Sequence, residues 1–145
     1  MHPKPFLKLI TMKAKINWIE NYLLEGDSDT GKKFFMNTGD GVSEFSPAEL
    51  VLQALAGCTM MDCVLIISKS RKKIKRFWVE VEAEEAKVYP KMFTKIFLNY
   101  HFVGKELDAS LIERAIKLSE EKYCRVHAML RGNVNITSSY TLNQS

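Results

Sequence analysis

The sequence has few cysteines, and their arrangement argues against two kinds of protein. It contains three, Cys58, Cys63 and Cys124, in a chain of 145 residues. An odd number at irregular intervals does not form the disulfide framework of a small secreted protein. No Cys-x-x-Cys or paired cysteine–histidine spacing typical of zinc sites is present, so we expect no structural metal. In a reducing compartment, each cysteine is then either a packing residue or a reactive thiol.

Other motifs are also missing. The sequence has no glycine-rich phosphate loop, so a nucleotide-dependent enzyme is not indicated and no cofactor is expected. The stretch 1–15 has basic residues but only a short apolar patch broken by lysines, unlike a secretory signal, and we expect a cytoplasmic protein. No internal repeat or linker interrupts the chain. The length therefore predicts a single domain over residues 1–145.

The overall charge excludes no partner by itself. The net charge is +4, with 26% charged and 46% hydrophobic residues, which is typical of a soluble globular domain. One basic cluster, Lys69–Arg76, could touch nucleic acid or another anionic surface. Such a run is more often the solvated end of a helix, where cations also suit the macrodipole. We favour the second interpretation and expect no nucleic-acid partner.

The most apolar segment begins at Ser46 and ends near Lys69. Ser46, Pro47 and Glu49 form a helix-start signal in which Glu49 would cap backbone amides. Apolar residues then fall on every face of the helix, as in a core or a membrane span. Asp62 near the middle would cost roughly 2.5–3.5 kcal/mol in a bilayer, so we expect a core helix and no membrane partner. One small sheet cannot cover such a helix, so we predict a homodimer with two long, buried central helices.

Alternating apolar and polar residues predict strands on both sides of this helix. The order of elements is βββ-α-ββ-α(α)-β, which predicts an α+β domain. The second helix would start at a capping box of Ser110 and Glu113. A short apolar turn to Leu130 and a closing strand follow. The predicted strands are Met12–Trp18, Tyr22–Glu25, Lys33–Asn37, Phe77–Glu84, Thr94–Phe102 and a last strand from Val134.

The position of each cysteine leaves its role partly open. Cys58 follows Gly57, and a helical glycine costs about 1 kcal/mol relative to alanine, so it indicates a close approach of another group or a helix break. Cys58 is either a core residue or a reactive thiol. Cys63 lies about 140° further round the helix, so the two cannot face one site, and packing is the better interpretation for Cys63. Cys124 lies in a polar context with Arg125, and cationic neighbours favour a thiolate.

Three segments together resemble a known family. They are SPAELVLQALAGCTMMDCV, YPKMFTKIFLNYHFVGKELD and IERAIKLSEEKYCRVHAML, at residues 46–64, 89–108 and 112–130. They resemble the OsmC/Ohr family of osmotically inducible and organic hydroperoxide resistance proteins, and most closely its small OsmC-like branch. The resemblance implies an intertwined α+β homodimer with two active sites at the subunit interface.

The resemblance also implies a chemistry. Cys58 would attack organic hydroperoxides, with hydrogen peroxide as a further substrate, in oxidative or osmotic stress defence. Cys124 would resolve the Cys58 sulfenate as a disulfide, and an external thiol or dithiol would reduce it. Glu49 would match the acidic residue that holds an activating arginine. The protein would then be a two-cysteine peroxidase without a cofactor.

One departure from the family leads to an alternative. The peroxidase branches activate the attacking thiol with an arginine from the N-terminal region, whereas this sequence has no arginine before Arg71. Arg125 or a lysine could stabilise the thiolate, although a lysine lacks the planar fork of a guanidinium. The alternative is a binding protein of the same fold that holds a small apolar or thiol-reactive ligand with little turnover.

Overall fold

The computed structural model describes residues 12–39 and 41–144. The first eleven residues, which include His2 and most of the stretch tested as a secretory signal, lie outside the described residues. Within the described ranges, the element order confirms the predicted α+β succession βββ-α-ββ-α(α)-β. The strands are β1 Ala14–Glu20, β2 Leu23–Ser28, β3 Lys33–Met36, β4 Arg76–Glu85, β5 Phe93–Val103 and β6 Asn135–Leu142. The helices are α1 Pro47–Lys69, α2 Ala109–Leu118 and α3 Arg125–Leu130, with a π-helical turn Ser119–Tyr123 between α2 and α3.

The chain divides into two compact units, residues 1–50 and 51–145. In the first unit, β1, β2 and β3 form an antiparallel sheet in that order. Strand β2 runs through Gly26 and Asp27, which sequence analysis does not include in it, because both residues pair with β1 and with β3. The prediction of one domain over residues 1–145 stays a prediction.

The predicted start of α1 is confirmed. The backbone N–H of Ser46 donates to Glu49 Oε2 over 2.8 Å, and the backbone N–H of Glu49 donates to Ser46 Oγ over 3.2 Å. This reciprocal pair is a capping box, which satisfies two amides that the helix leaves without intrahelical acceptors. The described contacts of Glu49 are therefore those of a helix cap.

The second unit is built on a sheet in which β5 is central. β4 pairs with β5 antiparallel, and β6 pairs with the other edge of β5 in parallel. Alternate residues of β5 point into the core because side chains alternate between the two faces of a strand. These residues, together with α1 and α2, form one apolar cluster. The buried β5 side chains are Ile96, Leu98, Tyr100 and Phe102.

Helix α1 has one face in this core and one exposed apolar face. Its buried residues are Leu55, Ala56, Thr59, Cys63 and Ile67. The other face carries Met61, Val64 and Leu65, of which Met61 is 76% exposed. By length and composition, α1 is long and apolar enough to cross a membrane, but the core helices of soluble proteins meet the same criteria. One face of α1 is packed in the core of the second unit. Cover of the exposed face by a second chain stays a prediction.

One local prediction was wrong. The predicted capping box of Ser110 and Glu113 does not form, because Asp108 caps α2 by accepting the backbone N–H of Leu111 over 2.9 Å. Glu113 instead accepts a hydrogen bond from the Tyr140 hydroxyl over 2.7 Å. Gly57 does not mark a helix break, since α1 is continuous. No described residue of this chain lies within 4 Å of a Cβ built at Gly57, so the close approach of another group stays a prediction.

Candidate functional site

The structure brings Cys58 and Cys124 together, although 66 positions of sequence numbering separate them. Their Sγ atoms and a carboxylate oxygen of Asp62 all lie within 4.8 Å of one another. Cys58 and Asp62 are four residues apart on α1, so they lie on the same face of the helix. Cys124 comes from the junction between the π-helical turn and α3. Two separate elements therefore assemble a small cluster of two thiols and a carboxylate.

Ser119 joins these two elements. Its hydroxyl donates to Asp62 Oδ2 over 2.8 Å, and its carbonyl oxygen accepts the backbone N–H of Cys124 over 2.8 Å. The side chain of Ser119 is fully buried. The bond between the Cys124 N–H and the Ser119 carbonyl joins residues five positions apart, as in a π-helix, and π-helical turns are frequent at functional sites. A single buried residue thus fixes the carboxylate through its side chain and the second thiol through its backbone.

The surroundings of Cys124 raise its pKa. Cys124 is 2% exposed, and burial together with a hydrogen bond to the Cys58 thiol raises the pKa of Cys124 to about 12. The backbone N–H groups of His127 and Val126 lower this pKa, but by less. The N–H of His127 donates to Cys124 Sγ over 3.3 Å, so the same sulfur caps α3. Cys58, its neighbour in the cluster, is only half-buried.

Cys63 belongs to the core and lies outside this cluster. Its exposed fraction is 0%, and it packs in the apolar cluster of the second unit. Burial first, and then the negative charges of Asp62 and Glu120, raise the pKa of Cys63 to about 12. A thiol that keeps its proton and has no access to solvent is inert. The packing interpretation of Cys63 agrees with this position.

The charges around the cluster are mixed. Glu120 lies in the π-helical turn and accepts a hydrogen bond from the Tyr100 hydroxyl over 3.0 Å. Arg125 begins α3 directly after Cys124, and its side chain is exposed. This position does not test the predicted role of Arg125 in stabilising a thiolate. The predicted role of Glu49 in holding an activating arginine is also untested, and both roles stay predictions.

A pocket adjoins the cluster through Asp62. Its volume is about 420 Å³, and it lies between α1, α2 and the π-helical turn. Its wall combines apolar side chains with two cations, Lys69 and Arg114. Arg114 carries no sequence signal for a site, and Lys69 begins the basic cluster that was interpreted as the solvated end of a helix. The lining residues are Asp62, Leu65, Ile66, Lys69, Ser70, Arg114, Leu118 and Tyr123.

Sequence analysis also missed Asp62 and Ser119. The signal for Asp62 was present, because the spacing of four residues from Cys58 places both on one face of a helix. No signal identified Ser119, since its contact with Asp62 spans 57 positions of the sequence.

Known proteins are similar to this chain in sequence and in fold. Residues 38–139 match the family described as OsmC-like protein. Protein YhfA of Escherichia coli (strain K12) is 37% identical over 129 residues, which cover 89% of this chain and 96% of YhfA. The solved structure of an OsmC-like protein from Mycoplasma pneumoniae has a TM-score of 0.81 at 16% identity, covering 94% of this chain and 99% of that one. The organic hydroperoxide resistance protein OhrB of Bacillus subtilis has a TM-score of 0.63 at 19% identity, covering 92% and 99%. These two structures show a likeness of fold.

Proposed function

The chain belongs to the OsmC-like protein family, and we propose that it is a two-cysteine thiol peroxidase. Its substrates are organic hydroperoxides, with hydrogen peroxide as a further one, and its setting is oxidative or osmotic stress in the cytoplasm. The observation that carries the proposal is the contact between the thiols of Cys58 and Cys124. Its likeness of fold to a protein named for organic hydroperoxide resistance supports the same reaction.

Exposure favours Cys58 as the attacking residue. Cys58 is half-buried, whereas Cys124 is buried. The Cys124 sulfur also lies within 4.8 Å of the Cys58 sulfur, so a second thiol stands beside the attacking one. The Cys58 thiolate attacks the terminal oxygen of the hydroperoxide, and the O–O bond breaks. Cys58 becomes a sulfenic acid, while the leaving alkoxide takes a proton and departs as an alcohol.

Cys124 then resolves the intermediate. Its sulfur attacks the Cys58 sulfur, a disulfide forms, and the hydroxyl of the sulfenic acid leaves with the thiol proton as water. An external thiol or dithiol reduces the disulfide by exchange and restores both thiols. We include Arg125 as a cation that stabilises the thiolate and Glu49 as an acidic residue of the activating network. No other cofactor is required by this sequence of steps.

We further propose that the protein works as a homodimer. The exposed apolar face of α1, with Met61, Val64 and Leu65, supports this assembly, because contiguous exposed apolar surface marks an interaction site. A second copy would bury the matching face of its own α1 against it. The open space beside Gly57 would allow another chain to approach α1 closely.

Variants at the three cysteines test the peroxidase directly. We expect Cys58→Ser to lose turnover of cumene hydroperoxide with dithiothreitol as the reductant. In the absence of dithiothreitol, Cys124→Ser should consume one equivalent of peroxide and keep a sulfenic acid that dimedone labels. Cys63→Ala is the matched control, since it removes a thiol that lies outside the cluster. A full rate in Cys58→Ser would overturn the mechanism.

The pocket beside Asp62 favours one alternative, a binding protein for a small ligand. Leu65, Ile66 and Leu118 provide an apolar wall, and a cavity of about 420 Å³ suits a small molecule. Native mass spectrometry of the purified protein would reveal a retained ligand. A ligand that is displaced without turnover, together with thiols that do not react with hydroperoxide, would favour this alternative.

A further inference from the structure

We propose that Cys58, Asp62 and Cys124 form a binding site for a soft divalent cation such as Zn²⁺. Sequence analysis expects no structural metal because no short motif carries paired ligands. The folded chain supplies the donors differently, from two elements that are distant in sequence. This site is additional to the proposed peroxidase, and the two can be tested separately.

The donor set suits zinc. Thiolate sulfur and carboxylate oxygen are both common zinc ligands, and three protein ligands with one open position are typical of zinc sites that also bind water or a substrate. Zn–S bonds of about 2.3 Å in a tetrahedron place two sulfurs about 3.8 Å apart. The three donor atoms lie within 4.8 Å of one another. Shifts of about 1 Å by these side chains would therefore complete the coordination.

The cluster is also held in place. Asp62 receives a hydrogen bond of 2.8 Å from the buried Ser119, and partners of this kind orient metal ligands in proteins. Cys58 and Asp62, spaced by four residues on α1, have the helical spacing that places two ligands on one face. Because Cys58 and Asp62 are half-buried and Asp62 lines an open pocket, a cation can reach the donors from solvent.

The charge balance favours a dication. Asp62 contributes a carboxylate beside the two thiols, so a bound dication would balance negative charge at the site. A bound metal ion deprotonates the thiols that coordinate it. A thiol that coordinates the ion therefore exchanges its S–H bond for an S–metal bond and releases its proton to the buffer. The bound ion neutralises the two thiolates that form.

One consequence rests on the proposed function. A cation that holds the Cys58 sulfur competes with the hydroperoxide for it, so Zn²⁺ would inhibit the peroxidase until oxidation of the two thiols releases the ion. In that release, the two thiolates, one hydroperoxide and two protons give the disulfide, an alcohol, water and free Zn²⁺. Binding of the metal alone does not depend on this consequence.

The test uses the reduced, tag-free full chain with Co²⁺ and Zn²⁺ and without any hydroperoxide. We expect one Co²⁺ per chain with thiolate-to-cobalt absorption, and calorimetry in buffers of different ionisation enthalpy should show that protons are released when Zn²⁺ binds. Cys58→Ser and Cys124→Ser should each lose this absorption. Asp62→Asn should weaken the affinity for Zn²⁺ by about tenfold or more, and Ser119→Ala by about 10–100-fold.

Two control variants make the result specific. Cys63→Ala retains the three donors and should bind like the unmodified chain, and so should Asp29→Asn, whose side chain is exposed in the first unit. Circular dichroism establishes that each variant is folded, with Cys58→Ala as a second variant at that position. The proposal is overturned if Co²⁺ does not bind at one per chain, if Cys58→Ser retains the absorption, or if Asp62→Asn binds Zn²⁺ unchanged. If the protein binds no metal but still turns over peroxide, the metal-site proposal is wrong and the proposed peroxidase is unaffected.

Discussion

The hydrogen bond from Ser119 to Asp62 offers a stability prediction with a defined magnitude. Ser119→Ala deletes the donor but keeps the carbonyl that accepts the N–H of Cys124, so it isolates the side-chain contact. A hydrogen bond to a charged group contributes about 1.5–3 kcal/mol. Asp62 is half-buried, so water replaces part of the lost bond, and we expect Ser119→Ala to lower the free energy of unfolding by about 1–2 kcal/mol. For a chain of this size the melting temperature would fall by roughly 3–6 °C.

A double-mutant cycle separates this bond from other effects of the substitution. Urea unfolding of the unmodified chain, Ser119→Ala, Asp62→Ala and the double variant, all at one protein concentration, gives the coupling energy between the two side chains. We expect about 1 kcal/mol. Ser68→Ala, on an exposed part of α1, is the control and should change stability by about 0.5 kcal/mol or less. A coupling energy near zero would refute the role of Ser119 in positioning Asp62.

Three further predictions address the surface, the helix cap and the core. Met61→Glu places a charge on the exposed apolar face of α1, so sedimentation should show a monomer if this face is the dimer interface, and an unchanged dimer would contradict that interface. Asp108→Ala removes the cap of α2 and should lower the free energy of unfolding by about 1 kcal/mol. Ser110→Ala is the control and should leave thermal stability nearly unchanged. Equal losses in the two variants would show that the cap is assigned wrongly. Tyr100→Phe removes the donor to Glu120 from a fully buried ring and should cost about 1–2 kcal/mol in urea unfolding, and an unaffected midpoint would argue against that bond.

The sequence predicts the elements of this fold well, because each carries a local signal. The alternation in β4 and β5 and the apolar run of α1 reflect which sides of an element face the core. The cap formed by Ser46 and Glu49 is also local, and the structure confirms it. At α2 the same reasoning was wrong, because Asp108 offers a carboxylate acceptor earlier in the chain. Two candidate caps within three residues cannot be ranked from sequence spacing alone.

The pairing of strands that are distant in the chain is harder to predict from local sequence patterns. Nothing in the alternation of β6 states that it runs parallel to β5, since a half-buried strand has the same pattern in either direction. The exposure of Met61 could not be predicted either. When a helix is apolar on every face, its composition does not indicate which face the core covers.

The candidate site was predictable in part. The resemblance to the OsmC/Ohr family selects Cys58 and Cys124 from the three cysteines, and the fold brings these two into contact. Helical spacing could have added Asp62, but only the tertiary structure introduces Ser119, which lies in the π-helical turn 57 positions after Asp62. The roles of Glu49 and Arg125 stay predictions, since their described positions are those of a helix cap and of the first residue of α3.

The most direct test of the central claim is to map disulfides in the reduced protein after brief exposure to cumene hydroperoxide, with peroxide loss followed in parallel. We predict a bond between Cys58 and Cys124, formed with consumption of one peroxide per bond, while Cys63 stays reduced. Three thiols that remain unreacted after many minutes, or a bond that includes Cys63, would contradict the two-cysteine peroxidase.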